Sequence, residues 1–218
     1  MSAFSDVPRV RERKFRRQTP DARRRALINA TIQCIVNQGL EKTSSRNIAE
    51  TAGVSIGLIN HYYSSKDDLI ADVYQQVAAD LQAEMDAQVA AAEGGARARL
   101  SAFLRAAFSP VNLDPTLFRV WLAFWTMAQK SEPIAEVHHR TYATYRQTLE
   151  HLLGELAEEQ AFQRLDVRLA AIGLSGLLDG LWLEWCLNPD TFSPAEGVLL
   201  CETWLDGLIR TGLCTDVP

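Results

Sequence analysis

Residues 43–66 read TSSRNIAETAGVSIGLINHYYSSK, and this stretch decides the fold. Ile48, Ala49 and Ala52 give a short helix one buried side, Gly53 ends it, and Ser55 stands where a hydroxyl would cap a second. The second helix runs to about Tyr63 and buries Val54, Leu58 and Ile59, while Ile56, Gly57, Asn60 and His61 fall on another face. Two short helices joined at a glycine, the second presenting its outer side chains, have the mechanics of a helix-turn-helix. Small residues at Ser55 and Gly57 let the backbone approach a groove closely. Asn60 and His61 can hydrogen-bond base edges or phosphates, the Tyr62 hydroxyl can reach a phosphate, and Lys66 suits a phosphate contact at the start of the next helix.

The charge around this stretch agrees with that reading. Met1 to Lys66 holds 12 Lys and Arg against 5 Asp and Glu, a net of +7. The remainder holds 10 against 22, a net of −12, giving −5 for the 218 residues. A basic head on an acidic body implies that only the head meets a polyanion. Residues 1–18 are polar and arginine-rich and are expected to form a disordered basic arm. The basic stretch 9–25 is expected to track phosphates or the minor groove, the alternative being a solvated tail.

Working outward, Thr19-Pro20 looks like a cap with proline at the first helical position, opening a helix to about Asn37 that Gly39 closes. Ser64-Ser65-Lys66-Asp67-Asp68 starts a long helix, Lys66 to about Ala92, broken at Gly94-Gly95. Helical segments follow at 96–109, 115–130, 133–160, 166–188 and 194–212. No alternating strand or repeat is evident, so the fold class is all-α. The division expected is arm 1–18, helix-turn-helix domain 19–66, and a helical ligand-binding and dimerisation domain 67–218. No apolar run reaches the roughly 18 residues of a membrane span and no leader is apparent, so a cytoplasmic protein is expected. Cys34, Cys186, Cys201 and Cys214 lack C-x-x-C spacing and read as buried reduced thiols.

The body carries a concentration of aromatics. Phe118, Trp121, Phe124 and Trp125 share one helix, Tyr142 and Tyr145 a second, and Asp179 and Trp182 lie one turn apart on a third. Asp179 is flanked by Leu177, Leu178 and Leu181, so its carboxylate needs a partner. Aromatic faces with one acid suit a quaternary ammonium ligand through cation–π contact. Plain core filling, with Asp179 paired to an arginine or backbone donor, is the other reading. Gly173, Gly176 and Gly180 leave a shallow side on one helix. With Leu199, Leu200, Trp204, Leu205 and Leu208 on the next, they suit a four-helix dimer interface, or else tight packing within one subunit. His138-His139 beside Glu136 reads as a solvated pair, since adjacent histidines point about 100° apart and no third ligand is spaced for a metal. No G-x-S-x-G, H-E-x-x-H, Walker or dinucleotide motif is present, so neither an enzyme nor a cofactor is expected.

The head is similar to the TetR family of repressors through R-x-x-L-I-x-A-T at 24–31, I-A-E-x-A-G-V-S-x-G at 48–57 and S-K-D-D-L at 65–69. The resemblance implies nine helices, a homodimer through the last two, operator DNA as partner, and a small-molecule effector in the body. Carried onto this chain, Thr43, Ser45 and Arg46 begin the helix that touches the DNA backbone, Ser55 to Tyr62 is the recognition helix, and Lys66 contacts a phosphate. Many members carry tyrosine at the position of Asn60 and histidine at that of Tyr62. N-H-Y-Y here instead resembles the BetI-like, choline-responsive branch, as do Arg119-Val-Trp-Leu-Ala-Phe-Trp-Thr and Leu177-Leu-Asp-Gly-Leu-Trp-Leu. A regulator of another small molecule, such as an efflux substrate or catabolic intermediate, is the alternative.

Overall fold

Each helix of the head begins where a hydroxyl can satisfy an otherwise free backbone N–H. In the computed structural model, which describes residues 19–160 and 165–211, the Thr19 side chain accepts from Ala22 N and opens α1 (Pro20–Gln38). Ser44 caps α2 (Ser45–Ala52), Ser55 caps α3 (Ile56–Tyr62), and Ser65 caps α4 (Lys66–Ala90). Asp67 and Asp68 lie in the first turn of α4, where a helix dipole favours acids. Gly53 ends α2 at φ 66°, a left-handed turn that glycine adopts without steric cost, and this aims α3 away from α2.

The body adds α5 (Ala96–Ala107), α6 (Pro115–Ala128), α7 (Glu132–Glu159), α8 (Val167–Leu187) and α9 (Pro194–Thr211). These make nine helices and no strand among the described residues. The all-α expectation and the helix order hold, with ends displaced by a residue or two. The cap of α5 comes from far away in sequence. Gly95 has no side chain to offer, and the Glu159 carboxylate at the end of α7 accepts from Ala96 N at 2.5 Å.

Two hydrophobic cores organise the chain. The first gathers Leu27 and Ile35 of α1, Ile48 of α2, Ile59 of α3 and Leu69, Ile70 and Val73 of α4. It does not stop at the head, because Phe124 of α6 and Ile134 and Val137 of α7 belong to it as well. The second core packs α5, α7, α8 and α9 around Phe103, Leu153, Leu174 and Leu205. The long helices α4 and α7 each contribute to both cores and so join the head to the body.

Four expectations change here. By length and composition α8 is apolar enough to cross a membrane, although Asp179 and Glu184 interrupt its apolar run. Its apolar side packs on α7 and α9. The set Leu199, Leu200, Trp204, Leu205 and Leu208 divides: Leu205 and Leu208 are buried within the subunit, whereas Leu199 and Leu200 stay 63% and 48% exposed. Gly173 lies under the Trp204 ring of the same chain, while Gly176 and Gly180 face open space. Of the histidine pair, His139 is exposed, whereas His138 is half-buried with Nδ1 2.8 Å from the Tyr74 hydroxyl. Cys34 and Cys201 are buried free thiols and Cys186 is partly so; Cys214 and the arm 1–18 lie outside the described residues.

Candidate DNA-reading face and effector pocket

The outer side of α3 is unobstructed. Ser55, Ile56, Gly57, Asn60 and His61 are exposed, while Ile59 is buried and Leu58 partly so beneath them. A Cβ added at Gly57 would meet only the Ser55 hydroxyl, at 3.8 Å, so nothing within the chain requires glycine there. Tyr62 is half-buried and sits edge-on to His61, with ring centroids 5.5 Å apart. On α2, Arg46 is exposed and bridges to Glu50 at 3.2 Å, with the partly exposed Ser45 beside it.

Thr43 is placed differently from the expectation of an outward contact. It is buried, and its hydroxyl donates to Gly39 O at 2.9 Å, so its side chain shapes the turn before α2. Lys66 Nζ donates to Thr43 O at 3.2 Å, which ties the start of α4 to that same turn.

Behind α3 lies a polar joint that the sequence pattern did not reveal. Tyr63 donates its hydroxyl to Asp72 Oδ2 at 2.6 Å, and Arg24 Nε donates to the same oxygen at 2.8 Å. The Arg24 Nη2 pairs closely with Asp72 Oδ1, and Nη1 reaches Gln76 Oε1 at 3.4 Å. Desolvation, then the hydrogen bond to Asp72, pushes the Tyr63 phenol up from its ordinary pKa. Arg24, counted by sequence with the basic stretch 9–25, is therefore committed within the fold, joining α1 and the end of α3 to α4.

The body forms a cavity of about 490 Å³ between α4, α6, α7 and α8, open to solvent along α4 where Gln75, Ala79, Ala83 and Asp86 are exposed. Six of the eight residues singled out by sequence line it: Trp121, Trp125, Tyr142, Tyr145, Asp179 and Trp182. The rings form an angled wall, with Trp121 and Trp125 centroids 6.4 Å apart, Trp125 and Trp182 5.9 Å, and Tyr142 and Tyr145 6.5 Å. Phe118 and Phe124 stand behind this wall. Phe118 buttresses Trp182 edge-on at 5.4 Å, and Phe124 stacks on Tyr74 at 4.3 Å. Trp182 is fixed further by Nε1 donating to Asn112 O at 2.8 Å. The sequence reading missed the fourth side of the pocket, the α4 residues Gln75, Ala78 and Gln82, because their mixed polarity resembles an ordinary solvated face.

Asp179 is the electrostatic centre of this cavity. Burial raises its carboxyl pKa to about 6, opposed by the facing Tyr142 hydroxyl. No lysine or arginine among the described residues pairs with it, so the alternative of an internal arginine partner is overturned for those residues. The Trp125 indole N–H is buried and near enough to Tyr142 to favour its phenolate, yet no acceptor completes a hydrogen bond to it. The cavity therefore holds a buried acid with no ion-pair partner among the described residues, facing a tyrosine hydroxyl inside aromatic walls.

The TetR family of bacterial regulatory proteins matches residues 27–73, and the C-terminal domain of BetI-type transcriptional repressors matches residues 96–210. The HTH-type transcriptional regulator BetI of Paraburkholderia phymatum is 31% identical over 189 residues, which cover 87% of this chain and 94% of that protein. A solved regulator from Pseudomonas aeruginosa PAO1 is 47% identical with a TM-score of 0.87, covering 92% of this chain and 96% of that one. A regulator from Saccharomonospora viridis, solved in complex with choline, shares the fold at 20% identity and a TM-score of 0.71, over 88% of this chain and 97% of that one. With a capped helix-turn-helix at one end and this helical body at the other, the chain belongs to the TetR family of transcriptional regulators, in its branch with a BetI-type C-terminal domain.

Proposed function

We propose that this protein is a dimeric repressor that releases operator DNA when a quaternary ammonium compound of the choline type enters the body. The observation that carries the ligand reading is Asp179, a half-buried carboxylate without a cationic partner among the described residues, inside a wall of three tryptophans and two tyrosines. A trimethylammonium group cannot donate a hydrogen bond and is held by aromatic faces and a counter-charge, each good cation–π contact adding about 0.5–2 kcal/mol.

Ser45, Arg46 and Lys66 position the head on phosphates, and Asn60 and His61 read base edges from α3. Two heads presented by a dimer meet successive major-groove faces of a pseudo-palindromic site. Support for the dimer comes from α8 and α9, where Ile172, Leu199 and Leu200 are exposed beside the uncovered Gly176 and Gly180. Support for coupling comes from Tyr74 of α4, whose ring meets Trp121 of the pocket wall edge-on at 5.0 Å. A ligand that moves Trp121 therefore acts on the helix carrying the DNA-reading head. By linkage, the factor by which ligand weakens DNA binding equals that by which DNA weakens ligand binding.

The test is a titration of the purified protein on an operator fragment selected from its own upstream DNA, with and without choline, betaine aldehyde or betaine. Choline or its aldehyde should lower operator affinity about 5- to 150-fold, the range of ordinary allosteric coupling. A fragment released by an efflux substrate or catabolic intermediate, with all three quaternary compounds silent, refutes the ligand reading and keeps the repressor.

A further inference from the structure

The pocket is longer than a compact cation requires. Its lining on α4 runs from Gln75 to Asp86, about 16 Å at 1.5 Å per residue, and on α7 from Val137 to Tyr145, about 12 Å. Tyr74 bonds His138 near one end and Gln82 bonds Thr148 near the other, so α4 and α7 run side by side in the same direction and flank one slot. Asp179 faces Tyr142 and Tyr145, toward one end of the α7 stretch. By that register Ala78 and Ala79 stand level with the cation, and the turns of α4 beyond them leave a trough walled by Leu81, Ala83 and Met85, where Ala83 leaves room for a chain.

The same wall makes no demand for a second ionic group. Asp86 Oδ1 accepts from Gln82 at 2.8 Å, and Arg140 Nη1 pairs with Glu136 at 2.8 Å. Apart from Asp179, Arg140 is therefore ion-paired within the chain, and the Asp86 carboxylate, held by a neutral amide, is exposed to solvent at the far end of the slot. We propose that the effector is an amphipathic cation: a quaternary ammonium head on Asp179 and the aromatic wall, carrying a hydrocarbon or acyl chain laid along α4. This rests on the quaternary-ammonium reading above and specifies the class of ligand within it.

The measurement is the affinity of the full-length protein, by calorimetry, for tetramethylammonium and its butyl, hexyl and octyl trimethyl analogues, below their micellar concentrations. Octyl sulfate and 1-octanol serve as controls. Affinity should rise about fourfold per methylene, the ~0.8 kcal/mol of each buried CH₂, until the trough is full. Ala83→Phe, at an exposed lining position farther along α4, should cost the octyl analogue far more affinity than it costs tetramethylammonium. Affinity that is flat or falls with chain length while tetramethylammonium or choline still binds overturns the inference and spares the cation site. Equal binding of octyl sulfate overturns it too, by showing adhesion without charge selection. Silence from every cation removes the reading on which it rests.

Discussion

At Asp179 one side chain sets both a stability and a selectivity. Its pKa rises from 3.8 to about 6 because burial disfavours the charge, so the folded protein holds the proton more tightly than the unfolded chain. Stability therefore falls as pH rises from about 4 to about 6 and stays lowered above that. Asp179→Asn should make the ligand-free protein more stable at pH 7 by about 1–3 kcal/mol, with little difference near pH 4, while removing stabilisation by quaternary cations. Thermal melts of the two proteins at both pH values check this, and a less stable variant at pH 7 would rule out the uncompensated charge. For the wild type, cation affinity should weaken as pH drops through about 6. Residue identity was only partly legible in the sequence. An acid among leucines announces itself, whereas Thr43 looks the same whether its hydroxyl faces DNA or Gly39 O. Phe124 and Trp125 are neighbours on α6 and so point about 100° apart, which sends one ring to Tyr74 and the other to the cavity. Which direction the cavity lay in was not written in their spacing.

Among the elements, α4 carries the most consequence, and the carboxylate of Asp72 is its fastening to the head. Replacing it as Asp72→Asn keeps the side-chain shape but ends the charge pairing with Arg24 and weakens the bond to Tyr63. Arg24 is 39% exposed, so water screens part of that interaction. The expected loss of stability is about 1–2 kcal/mol, with a several-fold loss of operator affinity and a smaller change in cation binding, since Asp72 itself does not line the pocket. Denaturant unfolding, operator titration and calorimetry on one preparation measure all three, and intact operator affinity in the variant would show that the joint does not position α3. Helix existence and order were readable because caps and breakers, Ser44, Gly53, Ser55 and Gly95, sit where the backbone demands them. The Asp72 joint was not, since it joins positions 24, 63 and 72 on three different segments. Likewise Glu159 caps a helix that starts 63 residues earlier, a pairing no local window contains.

At the scale of the whole molecule, the charge division between head and body and the exposed leucines on α9 point to assembly. Leu199→Glu combined with Leu200→Glu would place four carboxylates at the two-fold seam of the proposed dimer, where unpaired charges cost several kcal/mol. Sedimentation should then show a monomer, and affinity for a full operator should fall to that for half a site. A variant that remains dimeric moves the interface elsewhere. The sequence reading proposed this seam as one set of leucines, but at 100° per residue Leu199 lies about 180° from Leu208 and about 120° from Leu205, and the packing of α5 and α8 on α9 covers the side that carries Leu205 and Leu208. The aromatic wall has one more consequence, an optical one. All five tryptophans lie in the body, three of them lining the cavity, while the head between Thr19 and Lys66 has tyrosine as its only fluorophore above phenylalanine. Indole emission is therefore a built-in reporter of cavity occupancy, since displacing water from Trp121, Trp125 and Trp182 shifts it to the blue. The DNA-reading end stays dark at wavelengths that excite indole alone, so ligand entry can be timed in unlabelled protein without interference from the operator-bound half.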